Sequence, residues 1–464
     1  MIDSEFKRKV KDFVQKNKED IVADIKDLVS INSVQGTPET DAPYGRGPKK
    51  ALEKILEISK KNGLSVKNLD NRTGYAQIDG KSEKYLASIA HVDVVPRGNG
   101  WKADPFTVRE INGYLVGRGV SDDKGPAVLT SYMMKFFKEQ NLDLPYTMRA
   151  IFGSDEETGS SDVDCYLQQE KPPVFIFTPD ADFPVCCGEK GIASFGLASK
   201  KIENGNVVKF KAGVASNVIS DLARVEFKKS AGNFPEKENF EIADNGDTVT
   251  VTAHGIGGHA MRPQGKVSAI GMIMDYGLEN NLFTADEKPY MELIRDMHRN
   301  YDGSTLGIDA KDDVFDPLTV IGGLIDFENG VFTQNINIRF PTSTSVEKME
   351  KQLCEKLSSV GGRITSASGN PPFCSGPEHP AIQALLGVYN ELTGKDEKPY
   401  TIGGGTYRRA FPAGAAFGIV SRNVPNPDYI GTEHMAEEGF SIDGLMDALE
   451  ILICGMYELQ KLEF

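Results

Sequence analysis

Apolar residues recur at helical spacing from the start of the chain, at Phe6, Val10, Phe13 and Val14 with charges of both signs between them, and the pattern predicts amphipathic helices over residues 2–30 and 47–62. The period then changes. Residues 75–78 and 85–90 are short apolar runs that predict strands, the second ending just before His91. Asp122 and Asp123 precede Gly125, Pro126 and an apolar-periodic run over residues 127–137, which puts them where a helix starts. Residues 146–152 and 174–177 predict two more buried strands, and strands alternating with helices imply an α/β layer. From about Gly188 to Gly376 the texture shifts to short strands, Gly-rich turns and two or three helices, as expected of an inserted α+β domain. Residues 381–393 then read as a helix of the first domain resumed. The expected division is a discontinuous domain, residues 1–188 and 377–464, carrying an insertion over residues 189–376; 464 residues are in any case too many for one ordinary core.

Three of the predicted strands end in the same chemistry. Ile89-Ala-His91-Val-Asp93, Phe152-Gly-Ser-Asp-Glu156-Glu157 and Phe177-Thr-Pro-Asp180 each set acids or a histidine at a strand terminus, the edge of an open α/β sheet where active sites collect. Each piece has a plainer reading. His91 alone is an ordinary structural histidine, Asp122 and Asp123 suit helix caps, Glu156-Glu157 suits a solvated turn, and Asp180 suits an Asx turn. Their joint occurrence is what the plainer readings leave unexplained. A hydrolase with two adjacent cations needs nitrogen or oxygen ligands for each ion, one shared group and a base beside a water. His91, Asp122, Glu157, Asp180 and His434 can supply the ligands and Glu156 the base. Three carboxylates and a hydroxide would neutralise two divalent ions, so such a site can be buried.

Composition removes several alternatives. A net charge of -15 argues against nucleic acid or an anionic membrane as partner. No run approaches the unbroken apolar length of a membrane span, and the amphipathic N-terminus is not a signal peptide, so residence in the cytoplasm is expected. The six cysteines have neither metal-knuckle spacing nor the framework of a secreted domain and read as reduced thiols. Cys186-Cys187 reads as packing, His254 as structural despite standing five residues before His259, and His298 and His379 as helix or loop residues.

The longer segments are more specific. Ser88-Ile-Ala-His91-Val-Asp93-Val-Val-Pro-Arg-Gly-Asn-Gly-Trp101, Gly117-Arg-Gly-Val-Ser-Asp122-Asp-Lys-Gly-Pro126, Gly153-Ser-Asp-Glu156-Glu157-Thr-Gly and Thr178-Pro-Asp180-Ala-Asp-Phe-Pro resemble the dinuclear zinc exopeptidases that include aminoacylase and the carnosinase-like dipeptidases, and within that group the PepV-type dipeptidases. The resemblance spans nearly the whole chain. It implies an α/β fold with a mixed-sheet catalytic domain and a large inserted α+β lid domain. It also implies two Zn²⁺ ions, with Mn²⁺ or Co²⁺ suited to the same ligands. Asp122 would bridge them, His91 and Asp180 would complete one site, and Glu157 and His434 the other. Glu156 would be general base and then acid, and Asp93 would orient His91.

In the insertion, Ala212-Gly-Val-Ala-Ser-Asn217 and Gly255-Ile-Gly-Gly-His259-Ala-Met-Arg-Pro263 resemble lid segments, with Asn217 facing substrate and His259 as oxyanion partner. Arg339, Gly404, Gly405, Thr406 and Arg409 resemble groups that hold the substrate carboxylate. Two departures stand out: Arg408 replaces a small residue, and Met435-Ala-Glu437-Glu438 after His434 keeps the acid four residues on but lacks the usual asparagine. The implied activity is hydrolysis of small unblocked dipeptides, in an Xaa-His or β-Ala-Xaa-like range, by a metal-bridged hydroxide. An N-acyl amino acid deacylase or a tripeptidase would use the same centre. A catalytically inactive metal-binding module is the reading from another class, and the intact Glu156 speaks against it. The size of the insertion resembles that of monomeric members and implies a monomer.

Overall fold

Asp3 opens the first helix, α1 (Ser4–Val29), by accepting a hydrogen bond from the Glu5 amide, and Phe6, Val10, Phe13, Val14, Ile21, Ile25 and Leu28 form its buried stripe. The structure, a computed structural model, describes residues 2–421 and 425–464. It divides into two compact units: Met1–Gly188 with Cys374–Tyr400 and Thr406–Phe464, and Glu189–Phe373 with Thr401–Gly405.

In the first unit α1 and α2 (Arg46–Lys61) lead into β1 (Ser65–Leu69), β2 (Thr73–Ile78) and β3 (Ser82–His91). A hairpin follows, β4 (Arg109–Ile111) and β5 (Tyr114–Val116), then α3 (Lys124–Glu139), β6 (Tyr146–Gly153), α4 (Ser161–Gln169) and β7 (Phe175–Thr178). Asn112 and Gly113 both take positive φ in the hairpin turn, which an Asn-Gly pair adopts at low cost. The main sheet runs β1-β2-β6-β3-β7 and continues with Gly414–Ala416. It is mixed. β1 and β2 pair antiparallel, as do β2 and β6, whereas β6, β3, β7 and Gly414–Ala416 are parallel. Alternate residues of β3 feed opposite cores: Leu86 and Ala90 join the helices α1, α2, α3 and Ile442–Leu459, while Ala87 and Ile89 pack with Tyr166 of α4 and Tyr407. Being covered on both faces is why these strands read as near-continuous apolar runs.

The second unit is an eight-stranded antiparallel sheet with helices Ala269–Glu279, Lys288–Arg299 and Val346–Ser358 sharing one apolar core. Its strands are not all short. Thr319–Glu328 and Val331–Phe340 span ten residues each, joined by a turn in which Asn329 and Gly330 take positive φ. The Thr401–Gly405 segment groups here because the Lys190 amide donates to the Ile402 carbonyl at 2.9 Å and Arg339 Nη1 donates to the Gly403 carbonyl at 3.2 Å.

All six cysteines are free, and among the described residues no helix is long and apolar enough to cross a membrane. His298, on the Lys288–Arg299 helix, is buried, and burial holds its pKa down to about 4. The unfolded chain would protonate this ring near 6.5. Between those values the unfolded state binds more protons, so stability falls as pH drops from about 6.5 towards 4, by up to about 3 kcal/mol for this one group. The melting temperature of His298→Gln is therefore expected to decline less steeply over that window than the parent's. Superimposable slopes would contradict this assignment.

Candidate metal centre

β3, β6 and β7 run parallel, with His91 opposite Gly153 and Ser88 opposite Phe177, so their C-terminal ends meet at one edge of the sheet. His91 is the last residue of β3. Its amide donates to Asp123 Oδ2 at 2.9 Å, and Asp123, at the N-terminal boundary of α3, makes no side-chain cap bond. The plainer helix-cap reading of Asp123 is thereby set aside. Asp93 turns back and accepts the amides of Glu156 and Glu157 at 3.2 and 3.1 Å, holding the segment after β6 beside His91. The turn carrying Asp180 is tied by Thr178, whose Oγ1 accepts the Asp180 amide at 3.3 Å, which leaves the Asp180 carboxylate out of that bond.

The side chains converge. His91 Nε2 lies 2.9 Å from Asp122 Oδ1 and 3.8 Å from Asp180 Oδ2. His434 Nε2 lies 2.9 Å from Asp122 Oδ2 and 3.2 Å from Glu157 Oε1. The potential ligand atoms of His91, Asp122 and Glu157 fall within 4.8 Å of one another, as do those of His91, Glu156 and Asp180. Two ligands of one tetrahedral zinc ion, each at roughly 2.0–2.1 Å, stand about 3.3 Å apart, and the histidine–carboxylate separations straddle that value. Glu157 Oε1 is buried against His434 Nε2, where an ion could stand in place of the imidazole proton. The donor set, imidazole with carboxylate, suits a divalent transition metal.

The electrostatics agree. Burial opposes charge on His434, yet Asp122 and Glu157 lift its pKa to about 11; burial likewise opposes charge on His91, which Asp122 and Asp93 still hold well above the imidazole range. Burial opposes ionisation of Asp122 as well, but its bonds to His434 and His91 keep it below the usual carboxylate range. Burial, reinforced by the Asp122 charge, raises Asp180 to about 7 and raises Glu157 too. Burial also pushes Glu156 well above the ordinary glutamate range, with Asp180, Glu157 and Asp93 adding to the push and His91 countering it. A carboxyl raised above its ordinary range is the more basic for it, as a general base requires. Cations entering such a cluster displace protons, because ligating imidazole must be neutral.

The remaining residues singled out by sequence lie as follows. In the second unit, Val218 pairs with His259 in a two-stranded ribbon, which puts the Asn217 side chain 3.3 Å from His259 Nε2. The Met261 amide donates to His259 Nδ1 at 3.2 Å. Arg339 is buried, donates from Nε to Asn337 Oδ1 at 3.0 Å, and meets the Gly403 carbonyl, next to Gly404 and Gly405. In the first unit, Thr406 caps the short Tyr407–Ala410 turn, which carries Arg409. Arg408 is buried in that unit and donates to the Phe411 carbonyl at 2.8 Å.

Comparison with known proteins decides the family. The model of "Peptidase family M20/M25/M40" matches residues 87–456, a span that holds every ligand-type residue above. The chain belongs to this peptidase family. As an M20 member it is a hydrolase acting on peptide bonds, and the resemblance carried by the motifs is borne out. The Beta-Ala-Xaa dipeptidase of Lactobacillus delbrueckii subsp. lactis is 32% identical, covering 97% of this chain and 98% of that protein. Human carnosine dipeptidase 1 shares the fold, with a TM-score of 0.62 at 16% identity over 98% of this chain and 99% of that one. The YXEP protein of Bacillus subtilis, described as a dinuclear metal-binding peptidase of the M20 family, aligns with a TM-score of 0.52 at 10% identity over 96% and 99%. The mixed α/β architecture expected from the sequence is that of the M20 fold.

Sequence reading did not pick out the groups behind this M20 centre. Asp162, on α4, accepts the Ser154 and Asp155 amides at 2.6 and 3.1 Å and the Tyr407 hydroxyl, and so fixes the segment leading to Glu156. Gly153 makes this possible, since a Cβ there would collide with the Tyr407 hydroxyl and the Asp162 carboxylate. The available signal was the glycine inside the quoted Gly153–Gly159 motif.

Proposed function

We propose that this chain is a metallo-dipeptidase that hydrolyses the one peptide bond of small unblocked dipeptides with two divalent ions. His91 and Asp180 would hold one ion, Glu157 and His434 the other, and Asp122 would bridge. The observation that carries this reading is the placement of Asp122, whose two carboxylate oxygens each stand 2.9 Å from a different histidine, so that one group addresses two sites. When bound, the ions would acidify a water and polarise the scissile carbonyl. Glu156 would take a proton from the attacking water and deliver it to the leaving amine. Asp93 holds the loop of Glu156 and Glu157, and its backbone carbonyl lies 3.0 Å from His91 Nδ1 with its carboxylate at 3.5 Å, so this residue fixes the orientation of that ring. His259 would be the oxyanion partner and Asn217, whose side chain lies 3.3 Å from that ring, would face the substrate, as the family resemblance implies. Arg339, Gly404, Gly405, Thr406 and Arg409 are the groups that the family resemblance assigns to the substrate carboxylate. Zinc fits the mixed donor set, and Mn²⁺ or Co²⁺ would fill the same ligands. A monomer resident in the cytoplasm completes the reading.

Dipeptides are favoured over acylated amino acids and tripeptides because the relative at 32% identity is named for β-Ala-Xaa dipeptides. A panel of β-Ala-Xaa and Xaa-His dipeptides, N-acetyl amino acids and tripeptides, with and without chelator, tests this. Turnover should be confined to dipeptides, vanish with chelator and return with zinc, manganese or cobalt; turnover indifferent to chelator would sink it. His259→Ala is expected to lower kcat by roughly 10²–10³-fold, the usual loss for one oxyanion donor, with metal content unchanged. Unaltered kcat would remove His259 from that role.

A further inference from the structure

Two buried charges outside this scheme lie behind the ligand segments. Arg118 and Glu438 are 1% and 0% exposed, and Arg118 Nη1 stands 2.5 Å from Glu438 Oε2. Strand pairing brings them together. β5 pairs antiparallel with Gly439–Ser441, Gly439 opposite Val116, and the Gly117 amide donates to the Glu438 carbonyl at 2.9 Å.

From there the two side chains reach in different directions. Glu438 Oε1 accepts the amides of Gly119, Ser121 and Asp122, at 2.9, 3.2 and 3.2 Å, and so grips the loop that carries Asp122. Arg118 Nη2 donates to the carbonyls of His434, at 3.2 Å, and Arg97, at 3.3 Å. Its guanidinium lies 5.3 Å from the centre of the Trp101 ring. One ion pair is thus bonded to the backbone of both segments whose side chains meet at Asp122 and His434.

The His434 segment requires such support. His434 and Glu437 take φ of 65° and 61°, left-handed values that are uncommon for residues other than glycine and gain from fixed surroundings. The His434 side chain is about half exposed, so packing does little to fix its ring, and the backbone must set its distance from Asp122. Stability is a poor explanation for the pair, because desolvating two charges offsets much of their attraction. A planar guanidinium that gives Nη1 to a carboxylate and Nη2 to two carbonyls does explain a fixed geometry. His91 and Asp180, by contrast, are placed by the end of β3 and the Thr178 turn, which neither Arg118 nor Glu438 bonds.

We propose that Arg118 and Glu438 are positioning residues that set the spacing of Asp122 and His434, and so the affinity of the ion that these two share with Glu157. This rests on the two-ion reading above. The test is zinc titration by calorimetry on the purified chain, the parent beside Arg118→Lys and Glu438→Gln. Folding is verified by far-ultraviolet circular dichroism. Arg118→Lys keeps the charge but loses the fork, and Glu438→Gln keeps the shape but loses the charge. Tyr132→Phe, which breaks a buried bond to Asp24, serves as a control for stability lost elsewhere in the same unit.

The parent should bind two ions. In each folded variant the ion at Glu157 and His434 should weaken by about 10–100-fold, the usual range for a group that orients ligands, and the other, tied to this pair only through Asp122, should weaken less, while both ions of Tyr132→Phe stay near the parental affinity. Trp101 is the only tryptophan of the chain, so its emission should shift in Arg118→Lys, where the guanidinium leaves the ring, and not in Tyr132→Phe. A folded Arg118→Lys that holds both ions at parental affinity, or loses both equally, overturns the proposal. A parent that binds fewer than two ions instead overturns the two-ion reading on which it rests.

Discussion

Asp122→Ala should bind neither ion firmly and turn over dipeptides at close to the background rate. Both histidines of the cluster contact this one carboxylate, each at 2.9 Å, so its removal takes a ligand from each site at once. Loss of affinity beyond the roughly 100-fold typical of a supporting residue is expected for both ions. Turnover should fall by about 10⁴-fold or more, because the activated water and the polarised carbonyl disappear together. Asp122→Asn keeps the shape and should lose as much, which separates ligation from packing. Metal analysis of dialysed protein and a dipeptide assay check both variants. Two retained equivalents with parental turnover would rule out Asp122 as the bridge.

Glu156→Gln should behave differently. The amide fills the same space but cannot take a proton, so kcat should drop by roughly 10²–10⁴-fold, the range for a lost general base, with KM and metal content near the parental values. The distinction matters because the ligand atoms of Glu156 lie within 4.8 Å of those of His91 and Asp180, close enough for a ligand role. If Glu156→Gln loses an equivalent of metal, this residue is a ligand and the base lies elsewhere. If it turns over dipeptides at the parental rate, it has no part in the chemistry.

His91, Glu156, Glu157 and Asp180 were legible in the sequence because strand ends are, whereas Asp122 stands at a helix start and His434 follows no strand. β3, β6 and β7 are covered on both faces, so their apolar runs stand out, and the residue types that follow each run differ sharply from the strand itself. Sheet order was not legible: nothing in the apolar runs says that β6 lies between β2 and β3. The neighbourhood of Asn217 and His259 came from family resemblance, since two residues 42 positions apart carry no spacing signal until a ribbon pairs Val218 with His259. Supporting groups were the hardest to see. Asp162 looks in sequence like the solvated charges that fill any acidic protein, and although Arg118 and Glu438 stand in family motifs, only their burial and their bonds to backbone groups show what they hold. Asp123 shows the converse: its position suits a helix cap, yet its carboxylate serves the amide of His91.

The central claim, one carboxylate gathering two ions, is tested most directly by anomalous diffraction from a crystal of the purified chain grown with zinc. Two anomalous peaks flanking Asp122, one beside His91 and Asp180 and the other beside Glu157 and His434, are expected. A single peak, or two peaks that do not share Asp122, would contradict it.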